Sequence, residues 1–330
     1  MVELELSADD AGQRADRWLR RRLPNAPLAL VHRLLRSGLV RQGERRLRAG
    51  DRLDAAIPLA LLLDPARFAE LQGEARARPA RGATPTRSPL LARVRVVHED
   101  EALLVIDKPG GLAVQPGTGL GDEHLLAWLD AHVEAPRDPH SRFRAAPAHR
   151  IDKGTSGLVL VGKTAAAARA LAAAFREHRV TKSYLAIVHG APQPAAGLID
   201  LPLAVDDRGA RSRKAAVDEG GVVASTRFRT RSGHGALTLL ELRIDTGRTH
   251  QIRAHLAAIG HPIVGDDRYG APRARLLRGR FALHAAGLEL AHPTRGTRLQ
   301  FDAPWPGELA AILRDADDEP RRAPDGRAPR

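Results

Sequence analysis

The sequence His149-Arg150-Ile151-Asp152-Lys153-Gly154-Thr155-Ser156-Gly157 is a polar segment that leads directly into the apolar run 158–161. This short run of leucine and valine predicts a buried strand. Asp152 lies in the loop before the strand, between the cations Arg150 and Lys153, which favour an ionised carboxylate. Such a carboxylate at the edge of a strand can act as a nucleophile. For an isolated aspartate, the alternative is a turn residue or an ion-pair partner.

A second candidate segment, Lys182-Ser183-Tyr184, opens another predicted strand. Tyr184 is one of only two tyrosines in the chain. A tyrosine on a strand is commonly a core residue, but the polar residues before it also allow its ring to stack on a ligand. The residues alone leave both interpretations open.

A third segment, Thr246-Gly247-Arg248-Thr249-His250-Gln251-Ile252-Arg253-Ala254-His255, is typical of a turn that enters a helix. We expect Thr249 to cap this helix, whose N-terminus favours nearby anions. His250 and Arg253 are three residues apart and should share a face. Arg253 is therefore a candidate partner for an anion, with a surface arginine as the alternative.

The residues from Gly157 to Thr164 match the phosphate-loop pattern GxxxxGK[ST] letter for letter. In a true phosphate loop an apolar strand precedes the first glycine, and the four spacers form the loop. Here the four spacers are themselves the apolar strand. We therefore expect no nucleotide site, and a phosphate-loop NTPase is the less favoured alternative function.

The sequence also gives little support for a metal or another cofactor. The chain has no cysteine, which excludes thiolate ligands. His250 and His255 are five residues apart on the predicted helix, so their side chains should point about 140° apart. We expect neither a metal nor a cofactor.

The basic charge of the chain is concentrated near its N-terminus. The net charge is +13, and residues 14–52 alone contain twelve arginines and three acidic residues. Such clustering is typical of a module that binds phosphate groups, and nucleic acid is the expected partner. No apolar run reaches the about 18 residues that span a bilayer, and the N-terminus lacks a secretory pattern. We expect a cytoplasmic monomer that does not bind membranes.

Composition and periodicity divide the chain into four parts. We expect a small basic α/β domain at 1–58, an Ala-, Arg- and Pro-rich linker without fixed structure at 59–89, a main domain at 90–315 and a flexible tail at 316–330. In the first domain the pattern predicts helices over 14–23 and 27–36 and strands over 39–41 and 51–53.

The main domain is predicted to be α+β, with a mixed, mainly antiparallel sheet and flanking helices, because short strands outnumber helices. The predicted strands cover 94–97, 103–106, 158–161, 184–188, 226–230 and 236–244. The predicted helices cover 122–132, 164–178 and 249–259.

The three polar segments together resemble the RluA/RluC/RluD-type pseudouridine synthases. HRIDKGTSG is similar to the HRLDxxTSG segment of that family, with Ile151 in place of the usual leucine. Lys182-x-Tyr184 and TGRTHQIRAH resemble its second and third motifs. Residues 98–109, 260–270 and 283–285 also match, so the resemblance extends from about Val94 to Trp305.

The resemblance implies isomerisation of uridine to pseudouridine in structured RNA, without a redox cofactor or ATP. It assigns Asp152 as the catalytic carboxylate, Arg253 as its ion-pair partner and Tyr184 as the residue against the uracil ring. Arg150 resembles the arginine that fills the space left by a flipped nucleotide. Whether Asp152 attacks C1′ or C6, or assists elimination, remains open. We expect Arg253→Ala to impair catalysis more than stability.

The resemblance also implies that the first domain is S4-like and binds RNA. It favours 23S ribosomal RNA as the substrate, with transfer RNA as the alternative. The expected RNA contacts are Arg150, Lys182, Arg248 and His250 in the main domain and Arg17, Arg33, Arg36 and Arg41 in the first.

Overall fold

The computed structural model describes residues 1–72, 88–116, 123–133, 143–206, 214–272, 274, 277 and 279–318. The chain divides into two units. One consists of Met1–Thr86, Leu129–Ala145 and Lys163–Ala166; the other consists of Arg87–Trp128, Ala146–Gly162 and Ala167–Arg330.

The first unit is a small α/β fold built on helices that each bury one apolar face. Its elements are β1 (Val2–Leu4), α1 (Ala15–Arg22), α2 (Leu28–Arg36), β2 (Val40–Gln42), β3 (Arg45–Arg46), β4 (Leu59–Leu61) and α3 (Pro65–Gln72). The strands form one sheet in the order β1-β4-β2-β3. In α2, Val31, Leu34 and Leu35 are buried at helical spacing and join a core with Trp18 and Leu19 of α1.

Two expectations for this region are wrong. Residues 59–72 form β4 and α3 rather than a linker, because Leu59, Leu61, Phe68 and Leu71 are buried in the core of the unit. The rest of the predicted linker, 73–87, lies outside the described residues. Residues 51–53 are not a strand: β2 pairs with β3 and β4 instead, and Arg52 makes a single bridge to Arg14.

After residue 88 the chain forms a larger α+β arrangement. Its elements are β5 (Arg95–Glu99), β6 (Leu103–Lys108), α4 (Leu125–His132), β7 (Ala146–Pro147), β8 (Ser156–Gly162), α5 (Ala165–Arg176), β9 (Thr181–His189), β10 (Ala196–Asp200), β11 (Leu203–Asp206), β12 (Lys214–Val217), β13 (Ser225–His234), β14 (Leu237–Ile244), α6 (Gln251–Ala258), β15 (Leu283–Ala291), β16 (Arg298–Asp302) and α7 (Gly307–Asp318). Because α7 continues to Asp318, the predicted tail begins too early; residues 319–330 lie outside the described part of the chain.

The large sheet has the order β10-β13-β14-β9-β15-β8-β6-β5, with β16 beside β15 and β7 beside β8. Among the described strands, β15 and β8 are the parallel pair and the other pairings are antiparallel. This confirms the expected α+β class with a mixed, mainly antiparallel sheet. β15 was not predicted, although it lies between β8, into which the first polar segment leads, and β9, which contains the second.

All seven residues of β8 are buried, including the four spacers of the phosphate-loop pattern. A buried strand cannot turn its amides toward a phosphate group, so the nucleotide-site alternative is wrong at this position. Gly157 has φ +112°, and a Cβ there would overlap the backbone of Ala285 on β15. The glycine after Ser156 therefore allows β15 to approach β8 closely.

No helix in the described ranges is long and apolar enough to cross a membrane.

Candidate active site

Asp152 lies in the loop between β7 and β8, where its backbone carbonyl accepts a bond from the amide of Thr155 at 3.1 Å. The Asp152 side chain is 23% exposed and lines an open cleft of about 910 Å³. A Cβ at Gly154 would overlap the ring of Phe281, so glycine is required for the ring to pack against this loop. The backbone bond and the packing of Phe281 thus hold the loop in place, while the carboxylate of Asp152 remains accessible.

Arg253 of α6 holds the carboxylate of Asp152. Its Nη1 donates to Asp152 Oδ2 at 2.9 Å, while Nε and Nη2 donate to the two carboxylate oxygens of Asp266 at 2.7 and 2.8 Å. The guanidinium carbon also lies 4.9 Å from the Tyr269 ring centroid and 4.2 Å from that of Phe281. Asp266 holds Nε and Nη2 of the guanidinium, and the two aromatic rings pack against it. Arg253 therefore presents Nη1 to Asp152 as one fixed donor.

The first turn of α6 differs from the expectation that Thr249 is its cap. The cap is His250, in the left-handed conformation with φ 54°, and it makes no side-chain capping bond. The buried side chain of Gln251 organises this turn instead. Its oxygen accepts from Thr246 Oγ1 and the Arg248 amide, and its nitrogen donates to Ser225 O and Thr226 Oγ1.

Tyr184 of β9 lines a smaller cavity together with Asp152, Arg253 and His250. In the register of the sheet Tyr184 is opposite Ala285, which is in turn beside Gly157, so β15 brings the first two polar segments together. Burial, followed by the charge of Asp152, raises the pKa of Tyr184 well above its usual value. Its hydroxyl therefore stays protonated at neutral pH, which suits a ring that packs on a base rather than one that removes protons.

The remaining residues predicted to contact RNA lie in different environments. Arg150 and Arg248 are exposed and line the cavities around Asp152; Arg248 Nε donates to Val223 O at 3.2 Å. Lys182 is buried, burial lowers its pKa, and it lines neither cavity. Its environment favours a structural role over a phosphate contact.

In the first unit, Arg17, Arg33 and Arg36 are exposed. Arg41 is partly buried, and its Nε donates to the carbonyl of Gly38 at 3.3 Å. Three of the four arginines predicted to contact RNA in this unit are thus exposed to solvent.

Five residues of the site were not predicted from the sequence: Asp266, Tyr269, Phe281, Gln251 and Lys108. Asp266 and Tyr269 belong to the 260–270 segment that supported the family resemblance, but nothing in that segment alone shows that it faces Arg253. Among the described residues, no cluster of three or more histidines and acidic residues could hold a metal ion.

Lys108, at the end of β6, is fully buried behind the Asp152 loop. Its Nζ lies 2.6 Å from the carbonyl oxygens of Leu112 and Thr155, to which it donates, and 3.1 and 3.4 Å from those of Pro109 and Lys153. Two of these carbonyls, of Lys153 and Thr155, lie within three residues after Asp152, so Lys108 anchors the Asp152 loop. Burial lowers the pKa of Lys108 to about 7.

This shift predicts how stability depends on pH. Between about pH 7 and 10.5, Lys108 is neutral in the folded chain but protonated in the unfolded chain, so unfolding takes up a proton and stability rises with pH. The difference in unfolding free energy between the wild type and Lys108→Met should rise by about 1 kcal/mol per pH unit between pH 8 and 10. Urea titrations of both proteins would measure it. A constant difference would show that the carbonyl oxygens keep Lys108 charged.

A family model described as RNA pseudouridylate synthase matches residues 102–258, which contain all three polar segments. Ribosomal large subunit pseudouridine synthase C of Vibrio cholerae is 36% identical over 319 residues, which cover 94% of this chain and 95% of the relative. The chain therefore belongs to the RNA pseudouridylate synthase family, and its activity is the isomerisation of uridine to pseudouridine in RNA.

The protein of the same name from Escherichia coli K12 is 35% identical, with 93% of this chain and 94% of the relative covered. Among solved structures, human RNA pseudouridylate synthase domain containing 4 is similar with a TM-score of 0.53 and 27% identity, covering 68% of this chain and 94% of that one. Human RNA pseudouridylate synthase domain containing 1, at 24% identity and TM-score 0.52, supports the fold alone.

Proposed function

We propose that the chain forms pseudouridine in large-subunit ribosomal RNA and that Asp152 is its nucleophile. The observation that carries the assignment of Asp152 is its ion pair with Arg253: a charged carboxylate is held at 2.9 Å from a buried guanidinium and still lines an accessible cleft. The names of the two bacterial relatives support ribosomal RNA over transfer RNA as the substrate. A cytoplasmic location is consistent with that substrate.

In the proposed reaction, the target uridine leaves its stack and enters the cavity between Asp152 and Tyr184. Extruding a nucleotide costs a few kcal/mol, which contacts between basic residues and phosphate groups offset. Asp152 assists cleavage of the N1–C1′ bond, the uracil turns, and C5 joins C1′. The ring of Tyr184 packs on the uracil, and Arg150 at the cleft occupies the space that the base leaves.

We also propose that the first unit is an S4-like RNA-binding domain. The exposed Arg17, Arg33 and Arg36 supply positive charge on α1 and α2. Such contacts would add affinity without sequence discrimination, and they would make binding sensitive to salt.

The substrate assignment is tested by mapping pseudouridines in total RNA from a strain that lacks the gene. We expect one or more sites to disappear from large-subunit ribosomal RNA and to return on complementation with the wild type but not with Asp152→Asn. Transfer RNA from the same cells should be unchanged. Loss of sites from transfer RNA with intact ribosomal RNA would contradict the proposal.

A further inference from the structure

His250, at the N-terminus of α6, lies in both cavities that contain Asp152. Its Nε2 is 3.8 Å from Asp152 Oδ2, and its Nδ1 is 3.1 Å from the hydroxyl of Tyr269. The side chain is 12% exposed, so it is held in place but accessible from the cleft. From the sequence, His250 was expected only to contact RNA.

The bonds of Tyr269 determine which nitrogen of His250 carries the hydrogen. The Tyr269 hydroxyl donates its single hydrogen to the carbonyl of Ala215 at 3.0 Å and accepts from the amide of Ala215 at 3.1 Å. To bond the same hydroxyl, His250 Nδ1 must be the donor. A neutral imidazole carries one N–H, so Nε2 has a free lone pair on the side of Asp152.

The reaction needs a group that can accept a proton late in its course. When the uracil has been joined to the ribose through C5, that carbon still carries its hydrogen, which must leave to give pseudouridine. Tyr184 retains its own proton under these conditions. The carboxylate of Asp152 is released once C5 has joined C1′, but its Oδ2 remains bonded to Arg253 at 2.9 Å. A neutral imidazole in the same cavity is a stronger base than a carboxylate paired with a guanidinium.

We propose that His250 Nε2 is the general base that accepts the C5 proton, an inference that rests on the proposed placement of uridine beside Asp152. The C5–H bond breaks and its electron pair forms the C5=C6 double bond. The pair of the C6=N1 double bond moves to N1, which takes a proton from solvent. The imidazolium then loses its proton to water, so the net reaction remains an isomerisation.

The charges around His250 are compatible with this role. Burial lowers the pKa of His250 below its usual value; Arg253 and Arg268 act in the same direction, while Asp152 and Asp266 oppose them. The imidazole is therefore neutral at pH 7 and able to accept a proton. Activity should fall on acidification as His250 becomes protonated.

The decisive variant is His250→Asn. Asparagine tolerates the left-handed conformation at this position, and its amide can still donate to Tyr269, but it is not a base. On uridine-containing RNA, we expect the rate of pseudouridine formation to fall by about 10²-fold, without the acid limb seen for the wild type. A melting curve equal to that of the wild type would confirm that the variant is folded.

Substrate RNA with 5-fluorouridine separates this proposal from the assignment of Asp152, because a C5-fluorinated base has no C5 proton to remove. His250→Asn should join C5 of this base to the ribose as fast as the wild type, whereas Asp152→Asn should act on neither substrate. An unchanged rate on uridine, or an equal loss on both substrates, would overturn the role of His250. Activity of Asp152→Asn would instead contradict the proposed nucleophile.

Discussion

Replacing Asp152 by asparagine should abolish pseudouridine formation while the protein stays folded and still binds RNA. The amide has almost the shape of the carboxylate but lacks its charge and nucleophilicity, so the rate should fall by at least about 10³-fold. Stability should change by less than about 1 kcal/mol, because Asp152 is partly exposed and Arg253 keeps both of its bonds to Asp266.

Release of tritium from RNA labelled at C5 of uridine would measure the activity, and a gel-shift titration would measure binding. The matched control is Asp317→Asn on α7, which neutralises an exposed acidic side chain that lines neither of the two cavities around Asp152. The control should release tritium at the wild-type rate. Normal release by Asp152→Asn would reject this residue as the nucleophile.

The sequence was most informative where local pattern and chemistry coincide. The apolar run after Ser156 predicted β8, and Asp152 lies, as expected, in the loop before this buried strand. The expected pairing of Arg253 with Asp152 is also present in the structure. Both could be predicted because a strand is encoded within a few residues and because the family motifs linked Asp152 to Arg253 across a sequence separation of 101 residues.

The sequence was less informative where an element is defined by distant partners. β4 and α3 lie in a stretch whose Ala- and Arg-rich composition suggested a linker. They form because Leu59 and Leu61 are buried in one core with residues much earlier in the chain, such as Trp18 and Leu19 of α1. Likewise, the left-handed backbone of His250 follows from the turn around Gln251, which bonds Ser225 and Thr226 on β13. Neither cause can be detected in a local window.

The pairing of Arg253 with Asp266 changes one expectation of the sequence analysis. Because only Asp152 was known as a partner, Arg253→Ala was expected to affect catalysis more than stability. In the structure the Asp266 side chain is 1% exposed, and the two bonds from Arg253 compensate its charge. Removing the guanidinium leaves the buried carboxylate of Asp266 without its cationic partner, so stability should be lost as well.

We therefore expect Arg253→Met to lose about 3–5 kcal/mol of unfolding free energy, the usual cost of leaving one member of a buried ion pair alone. Methionine keeps much of the side-chain volume between Tyr269 and Phe281, which limits the contribution of an empty cavity. Urea denaturation would measure the loss, and tritium release at a temperature where the variant is folded would measure activity.

The double variant Arg253→Met with Asp266→Asn separates the two roles of the arginine. It removes the stranded charge at Asp266 and should recover much of the lost stability, since an asparagine is far less costly to bury than an unpaired carboxylate. It cannot restore the donor that holds Asp152, so its activity should remain as low as that of the single variant. If activity returned with stability, Arg253 would serve the fold alone, and the ion pair with Asp152 would not be required to position the nucleophile.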